Sequence, residues 1–245
     1  MTHHTAAPTR TETDSLGSME IPADAYWGIH TARALENFPI SRRPISVYAD
    51  LVRALAMVKQ AAARANAEIG VLDREKAALI DRASQLVIDG GYHDQFVVGV
   101  VQGGAGTSTN MNANEVITNI ALELAGRPKG DYAFLSPIDD TNRSQSTNDV
   151  YPTAIKVGLS LDLQTLLEEL DLLRQSFLRK ASEFHNVLKV GRTQLQDAVP
   201  MTLGQEFHGF ATTLGQDYQR LTENAHLLFE VNLGATAIGT GITAH

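Results

Sequence analysis

Apolar positions along this 245-residue chain recur mostly at helical spacing. Residues 1–14 show no periodicity and read as a mobile lead-in, with His3-His4 in a flexible polar terminus. Residues 15–45 mix turn signals with short apolar pieces, Leu16-Gly17, Ile21-Pro22, Phe38-Pro39 and Arg43-Pro44, which predicts an irregular packed segment. From Ser46, a candidate cap, Val47, Leu51, Leu55, Val58 and Ala62 follow a helical period, and Gly70 is a stop. Asp73 opens a second helix with Ala77, Ile80 and Val87 on one face, closed by Gly90-Gly91. A polar loop over residues 99–110 runs into a predicted helix over 110–125, ended by Gly126, Pro128 and Gly130. After a second polar loop over 136–148, a long helix is predicted from about Asp149 to Phe184. Its buried stripe would be Leu163, Leu166, Leu170, Leu173, Phe177 and Ala181. A third polar loop covers 186–205. The last helix carries Phe207, Phe210, Leu214, Tyr218, Leu221, Ala225 and Leu228, at spacings that alternate between three and four.

The pattern therefore predicts a mainly α fold, with no βαβ alternation and no internal repeat. A helical N-terminal domain would cover residues 15–145, and residues 146–245 would begin an elongated bundle. Two long helices cannot bury all their apolar faces on each other, so partners must come from further chain, other subunits or both.

Composition narrows the chemistry. With 43% hydrophobic and 20% charged residues the chain is globular in type. No stretch approaches the roughly 18–20 apolar residues that span a bilayer, so no membrane partner is expected. No basic-then-apolar leader opens the chain, which points to the cytoplasm. The absence of cysteine excludes disulfides, thiolate metal sites and a thiol nucleophile. Lys+Arg 20 against Asp+Glu 28 leaves a net charge of −8, the wrong sign for a nucleic-acid partner.

Three polar loops at helix ends are the candidate chemistry. The first runs Gly103-Gly104-Ala105-Gly106-Thr107-Ser108-Thr109-Asn110-Met111-Asn112. Glycines admit close approach of a ligand, and a helix N-terminus offers free N–H donors to an anion. It is no nucleotide fingerprint: the Gly-Lys-Ser/Thr of a phosphate loop is missing, and Thr109 stands where the dinucleotide pattern needs a third Gly. Alone it reads equally as a capping loop or an anion site. The second loop spans Asp139 to Asp149. Asp139-Asp140 could form an acid/base or metal pair, although neighbouring loop residues usually point apart. Asn142-Arg143-Ser144 matches a glycosylation sequon, disregarded without a secretory leader. The third supplies Arg192, Thr193, Gln194 and Gln196, and reads alternatively as a long hairpin connection satisfied by its own side chains. Together the loops suit a small polyanion such as a dicarboxylate.

At these residues the chain resembles the aspartase/fumarase superfamily. Residues 104–117, from Gly104-Ala105-Gly106-Thr107-Ser108 to Val116-Ile117, are similar to its first signature region. Gln145-Ser146-Thr147-Asn148-Asp149 with Tyr151-Pro152-Thr153 is similar to the second. Gly191-Arg192-Thr193-Gln194-Leu195-Gln196 with Leu203-Gly204-Gln205-Glu206 is similar to the third. Residues 21–31 and 232–241 also fit. Within the superfamily, Gln194 and the Ser146-Thr147-Asn148 run lean toward aspartases: fumarases and some aspartases carry His where Gln194 stands, and fumarases tend to show two serines before the Asn.

The resemblance implies reversible deamination of L-aspartate to fumarate and ammonia through an enediolate-like carbanion, with class II fumarase chemistry as the alternative. It implies that Thr107, Ser146 and Thr147 hold the β-carboxylate, that Asn148 and Gln194 contact the amine, and that Thr193 contacts the α-carboxylate. It implies no organic cofactor or obligatory metal. It also implies a homotetramer around a central helix bundle, with the Thr193 loop of one chain meeting the Thr107 and Ser146 loops of another. Two departures stand out. Ser136-Pro137-Ile138-Asp139 replaces the His-Pro-Asn-Asp that forms an accessory anion site in some members. The base-bearing Gly-Ser-Ser loop of the family has no counterpart, so the chain reads as a fragment, inactive alone, with its general base expected beyond His245. The alternative of a different class is a non-catalytic helical assembly unit, which the missing base loop supports. His30, His93, His185, His208 and His226 are base candidates by type only.

Overall fold

The structure is a computed structural model that describes residues 7–244; His3, His4 and His245 lie outside the described residues. It is mainly α, as the periodicity predicts. The chain divides into two compact units, Met1–Gly158 with Val231–His245, and Leu159–Glu230. This division differs from a boundary after residue 145. The start of the long helix packs with the N-terminal elements, and the chain returns to them after Glu230.

The first unit opens on a hairpin that the apolar pattern does not reveal. Strands β1 (Thr9–Asp14) and β2 (Gly17–Pro22) pair antiparallel, Thr9 opposite Pro22 and Asp14 opposite Gly17. The supposed mobile lead-in is thus structured from Thr9 onward, and polar side chains are the reason. Arg10 donates to the carbonyls of Pro22, Ala25 and Trp27, and Thr9 and Thr11 donate to Glu20. Arg33 grips both oxygens of Asp14 at 2.6 and 2.7 Å.

Helix α1 (Ile29–Asn37) has no cap of its own. Two carboxylates from elsewhere serve instead, favoured by the positive end of the helix. Glu115 accepts from the N–H groups of Gly28, His30 and Thr31, and Glu12 accepts from Ile29. Burial pushes the Glu115 carboxyl up, and the N–H bonds oppose that push.

Helices α2 (Ala49–Glu68), α3 (Arg74–Ile88) and α4 (Thr107–Leu124) enclose the core of this unit, where Leu55, Ile80, Val87, Phe96, Ile117 and Leu135 are buried. Ser46 lies in a short 3₁₀ turn rather than at the cap of α2, and Val47 is exposed. Asp73 caps α3 as predicted, accepting from Glu75 and Lys76. Helix α4 is buried almost all round, so its polar side chains have become ties to the loops. Asn112 holds Val97 N–H and the Gln95 carbonyl, and Asn119 holds Gly130 N–H and the Tyr26 carbonyl.

Helix α5 (Thr147–Glu183) begins in the first unit, and its residues from Leu159 belong to the second. The predicted loop at 186–205 is instead a hairpin of β3 (Leu188–Thr193) and β4 (Gln196–Thr202), where both readings of the sequence expected only a polar connection between helices. Its two-residue turn places Gln194 and Leu195 at φ +51° and +61°, the primed geometry that matches strand twist, without the usual Asn-Gly. Helix α6 (Leu203–Ala225) starts on a capping box between Thr202 and Gln205. Phe177 of α5 and Phe184, just past its last residue, lie with Phe207 of α6 at ring separations of 5.7 and 5.6 Å. Of the predicted stripe on α5, Leu163, Leu170, Phe177 and Ala181 are half-buried, while Leu166 and Leu173 are about half exposed, at 51% and 47%.

Candidate functional site

The first polar loop ends at Gly106, whose φ of +87° turns the chain into α4. A Cβ there would run into the ring of Tyr151, so glycine is required by conformation and by space. Gly106 brings no side-chain cap. Gln102 supplies one, accepting from Thr109 N–H at 2.9 Å and donating to its hydroxyl at 2.7 Å. Thr107 is left exposed at the first helical position. Helix α4 starts three residues earlier than its periodicity predicts because its first turn is polar.

The second loop ends in a reciprocal cap on α5. Ser146 Oγ accepts from Asn148 N–H at 3.2 Å, and Asp149 Oδ1 accepts from Ser146 N–H at 3.0 Å. Thr147 and Asn148 are the first two residues of the helix. The two helix starts are joined by the Gly106–Tyr151 packing and by Asn110. The Asn110 Nδ2 donates to Thr147 Oγ1 at 3.2 Å and to Asn142 Oδ1 at 3.1 Å.

A residue that the sequence pattern alone did not single out underlies this junction. Lys59 of α2 is wholly buried and donates to Asn142 Oδ1 and Gln145 Oε1, both at 2.8 Å. Burial pushes its ammonium well below the ordinary lysine value, and the Asp149 carboxylate opposes that push. A signal is nevertheless present: Val52, Leu55, Lys59, Ala63 and Asn66 follow one helical stripe, and a lysine inside an apolar stripe needs a partner.

Thr107, Ser146, Thr147 and Asn148 therefore share one end of the first unit. Thr193 and Gln194 belong to the second unit, exposed at the tip of the β3–β4 hairpin. Asp139 and Asp140 do not act as a pair. Asp140 binds Lys76 at 2.8 Å and Ser136 N–H, whereas Asp139 turns to Ser136 Oγ. His93 bonds the Val87 carbonyl, and His226 packs edge-on against Phe229. Among the described residues no group of three or more acidic or histidine side chains could hold a metal ion. No helix among them is long and apolar enough to cross a membrane.

Two helix N-termini, each equivalent to about half a positive charge, thus abut with hydroxyls at their first positions. This chemistry accepts a small anion and delivers hydrogen-bond donors to its oxygens.

A family model described as a lyase matches residues 17–245. The chain is 62% identical over 239 residues to the aspartate ammonia-lyase of Pseudomonas aeruginosa, covering 97% of this chain and 50% of that protein. It is 53% identical over 234 residues to that of Escherichia coli K12, covering 95% and 49%. A solved structure of a Brucella melitensis protein described as fumarate lyase:delta crystallin superposes with a TM-score of 0.93 at 57% identity, covering 97% of this chain and 52% of that one. A class II fumarase from Schistosoma mansoni superposes with a TM-score of 0.86 at 34% identity, covering 97% and 50%. The chain spans about half the length of the curated relatives it matches. On these grounds the chain belongs to the lyase family of the aspartase/fumarase superfamily.

Proposed function

We propose that this chain forms part of an aspartate ammonia-lyase, which converts L-aspartate reversibly to fumarate and ammonia. The junction of the α4 and α5 starts is the observation that carries the reading. Loss of a proton from Cβ of aspartate places a second negative charge on the β-carboxylate. Fixed donors aimed at those oxygens lower the barrier, because they need no reorganisation as the charge develops. Thr107, Ser146 and Thr147 are the proposed donors. Asn148 and Gln194 are the proposed amine contacts, and Thr193 the proposed contact to the α-carboxylate.

The general base is proposed to come from the part of the relatives' length that this chain does not span, so the chain alone is expected to show no turnover. A homotetramer is proposed as well, with the hairpin carrying Thr193 and Gln194 contributed by a different subunit. The exposed apolar side chains of α5 and α6 support self-association. A cytoplasmic location belongs to the same proposal. Fumarase chemistry is the second reading, favoured by the fold match to a class II fumarase. Gln194 and the identity to aspartate ammonia-lyases argue against it.

The test is a chimera in which this chain replaces the matching half of the Pseudomonas aeruginosa relative. Fumarate release from aspartate is expected. Thr147→Val is expected to lower kcat by about 10²–10³, the usual loss for one donor to a developing oxyanion. Release of fumarate from malate alone would overturn the reading.

A further inference from the structure

After Glu230 the chain returns to the first unit as a strap, and its attachment to α5 is specific. Asp149 is wholly buried, and its second oxygen accepts from the N–H groups of Gly234 at 3.2 Å and Thr236 at 2.9 Å. Gly234 at φ +91° and Thr236 at φ +59° flank Ala235 in left-handed conformations. Such backbone makes a concave nest of N–H groups, here filled by the carboxylate. Thr236 is 3% exposed, so its unfavourable φ is held by its surroundings.

Two further bonds tie the strap to Asn148. Pro152 has no N–H, so the Asn148 carbonyl lacks its helical partner. The Asn232 amide donates to that carbonyl at 3.2 Å. The Asn148 side chain in turn donates from Nδ2 to the Ala237 carbonyl at 2.7 Å. With its donor end committed to the strap, the Asn148 amide presents Oδ1 as the acceptor. An ammonium group is a pure donor and needs that acceptor; a reversed amide would turn N–H groups toward a cation.

We infer that Asp149 is a positioning residue: by holding strap residues 234–237 against the start of α5, it fixes the Asn148 amide with its oxygen available to the substrate amine. The inference rests on the proposed reading of Asn148 as an amine contact. It adds a reason why Asn148, Asp149 and Pro152 stand together with Gly234 and Thr236. Each removes or supplies one bond of the same arrangement.

Two measurements test it. In this chain, Asp149→Asn keeps the shape but loses charge, and is expected to speed hydrogen exchange at Gly234 and Thr236 at least tenfold. The amides of Leu55 and Ile117 should be unaffected. Unchanged exchange at both strap residues would show that Asp149 does not hold the strap and overturns the inference. In the chimera, Asp149→Asn and Asn148→Ala are each expected to lower kcat/KM for aspartate at least tenfold, and the double variant to be no worse than Asn148→Ala alone. Multiplying losses would make Asp149 merely structural and would also overturn the inference. Should Asp149→Asn yield no folded protein, Asn232→Ala loosens the strap from its exposed side and carries the same kinetic cycle. A parent chimera inactive on aspartate would instead overturn the proposed function and with it the amine role of Asn148, while the exchange result still decides whether Asp149 holds the strap.

Discussion

Helix α4 in the first unit and helix α6 in the second make opposite use of their sequences. Helix α4 has a weakly segregated pattern, with asparagine and threonine scattered round it, yet 14 of its 18 residues are buried. Helix α6 has a cleaner amphipathic stripe, yet only Gly204 and Ala211 of its 23 residues are buried. Apolar spacing states which face seeks cover. It does not state whether the cover lies in the same chain. For α4 the loops and neighbouring helices of the first unit close over it from every side. For α6, Phe210 and Tyr218 remain exposed, as do Leu166, Leu172 and Leu173 of α5.

The most direct way to break this contrast is to truncate matched leucines. Leu55→Ala removes a side chain with no exposure and is expected to cost about 2–5 kcal/mol, since a cavity remains after the lost transfer energy. Leu166→Ala, at 51% exposure, is expected to cost less than about 1 kcal/mol in dilute protein. Urea unfolding midpoints compare the two. If Leu166→Ala costs as much as Leu55→Ala at low concentration, the contrast is wrong. Should the penalty at Leu166 grow with protein concentration, with sedimentation showing assembly, the apolar face is covered by another copy.

A smaller effect sharpens the comparison within the second unit. With few buried side chains, local caps carry a larger share of its order. Thr202→Ala removes the capping box that opens α6 and is expected to cost about 1 kcal/mol, read as faster hydrogen exchange over the first turn of α6. A silent Thr202→Ala would mean that packing alone holds that turn.

The smallest effect is electrostatic and belongs to the first unit. The Arg33 guanidinium holds the Asp14 carboxyl down to about 2, from an ordinary value of 3.8. The folded state thus favours the ionised form. Its contribution is present above about pH 4 and is lost as the pH falls through about 2. Asp14→Asn removes it at every pH. The melting-temperature gap between parent and Asp14→Asn is expected to be constant near neutrality and to close between pH 4 and pH 2. A gap independent of pH over that range would refute the ion-pair account.

Much of the candidate site is legible in the amino-acid sequence. Thr107, Ser146, Thr147 and Asn148 stand out because small polar residues crowd two helix starts, and a helix start has a known electrostatic character. The helices between residues 49 and 183 are likewise legible, because burial on one face imposes a period. The two hairpins are not. Strand β1 is held by Arg10, Thr9 and Thr11, and Arg33 ties it to α1; hydrogen-bonding side chains of this kind leave no apolar alternation to read. The β3–β4 turn uses Gln194 and Leu195 at positive φ, where glycine or asparagine would have signalled it. Lys59 carries a signal, a charge in an apolar stripe, but not the identity of its partners.

The sequence by itself determined the helical class, the two polar helix starts at Thr107 and Thr147 and the family to which the chain belongs. These follow from local periodicity and from motifs in order, which need no knowledge of what lies opposite. Only the tertiary structure decided that Glu115 and Glu12 cap α1, that Lys59 braces Asn142 and Gln145, and that Asp149 receives a strap 85 residues further along. Each joins groups far apart in the chain through a buried polar contact. Such a contact forms only when folding takes both groups out of water and leaves each as the other's partner.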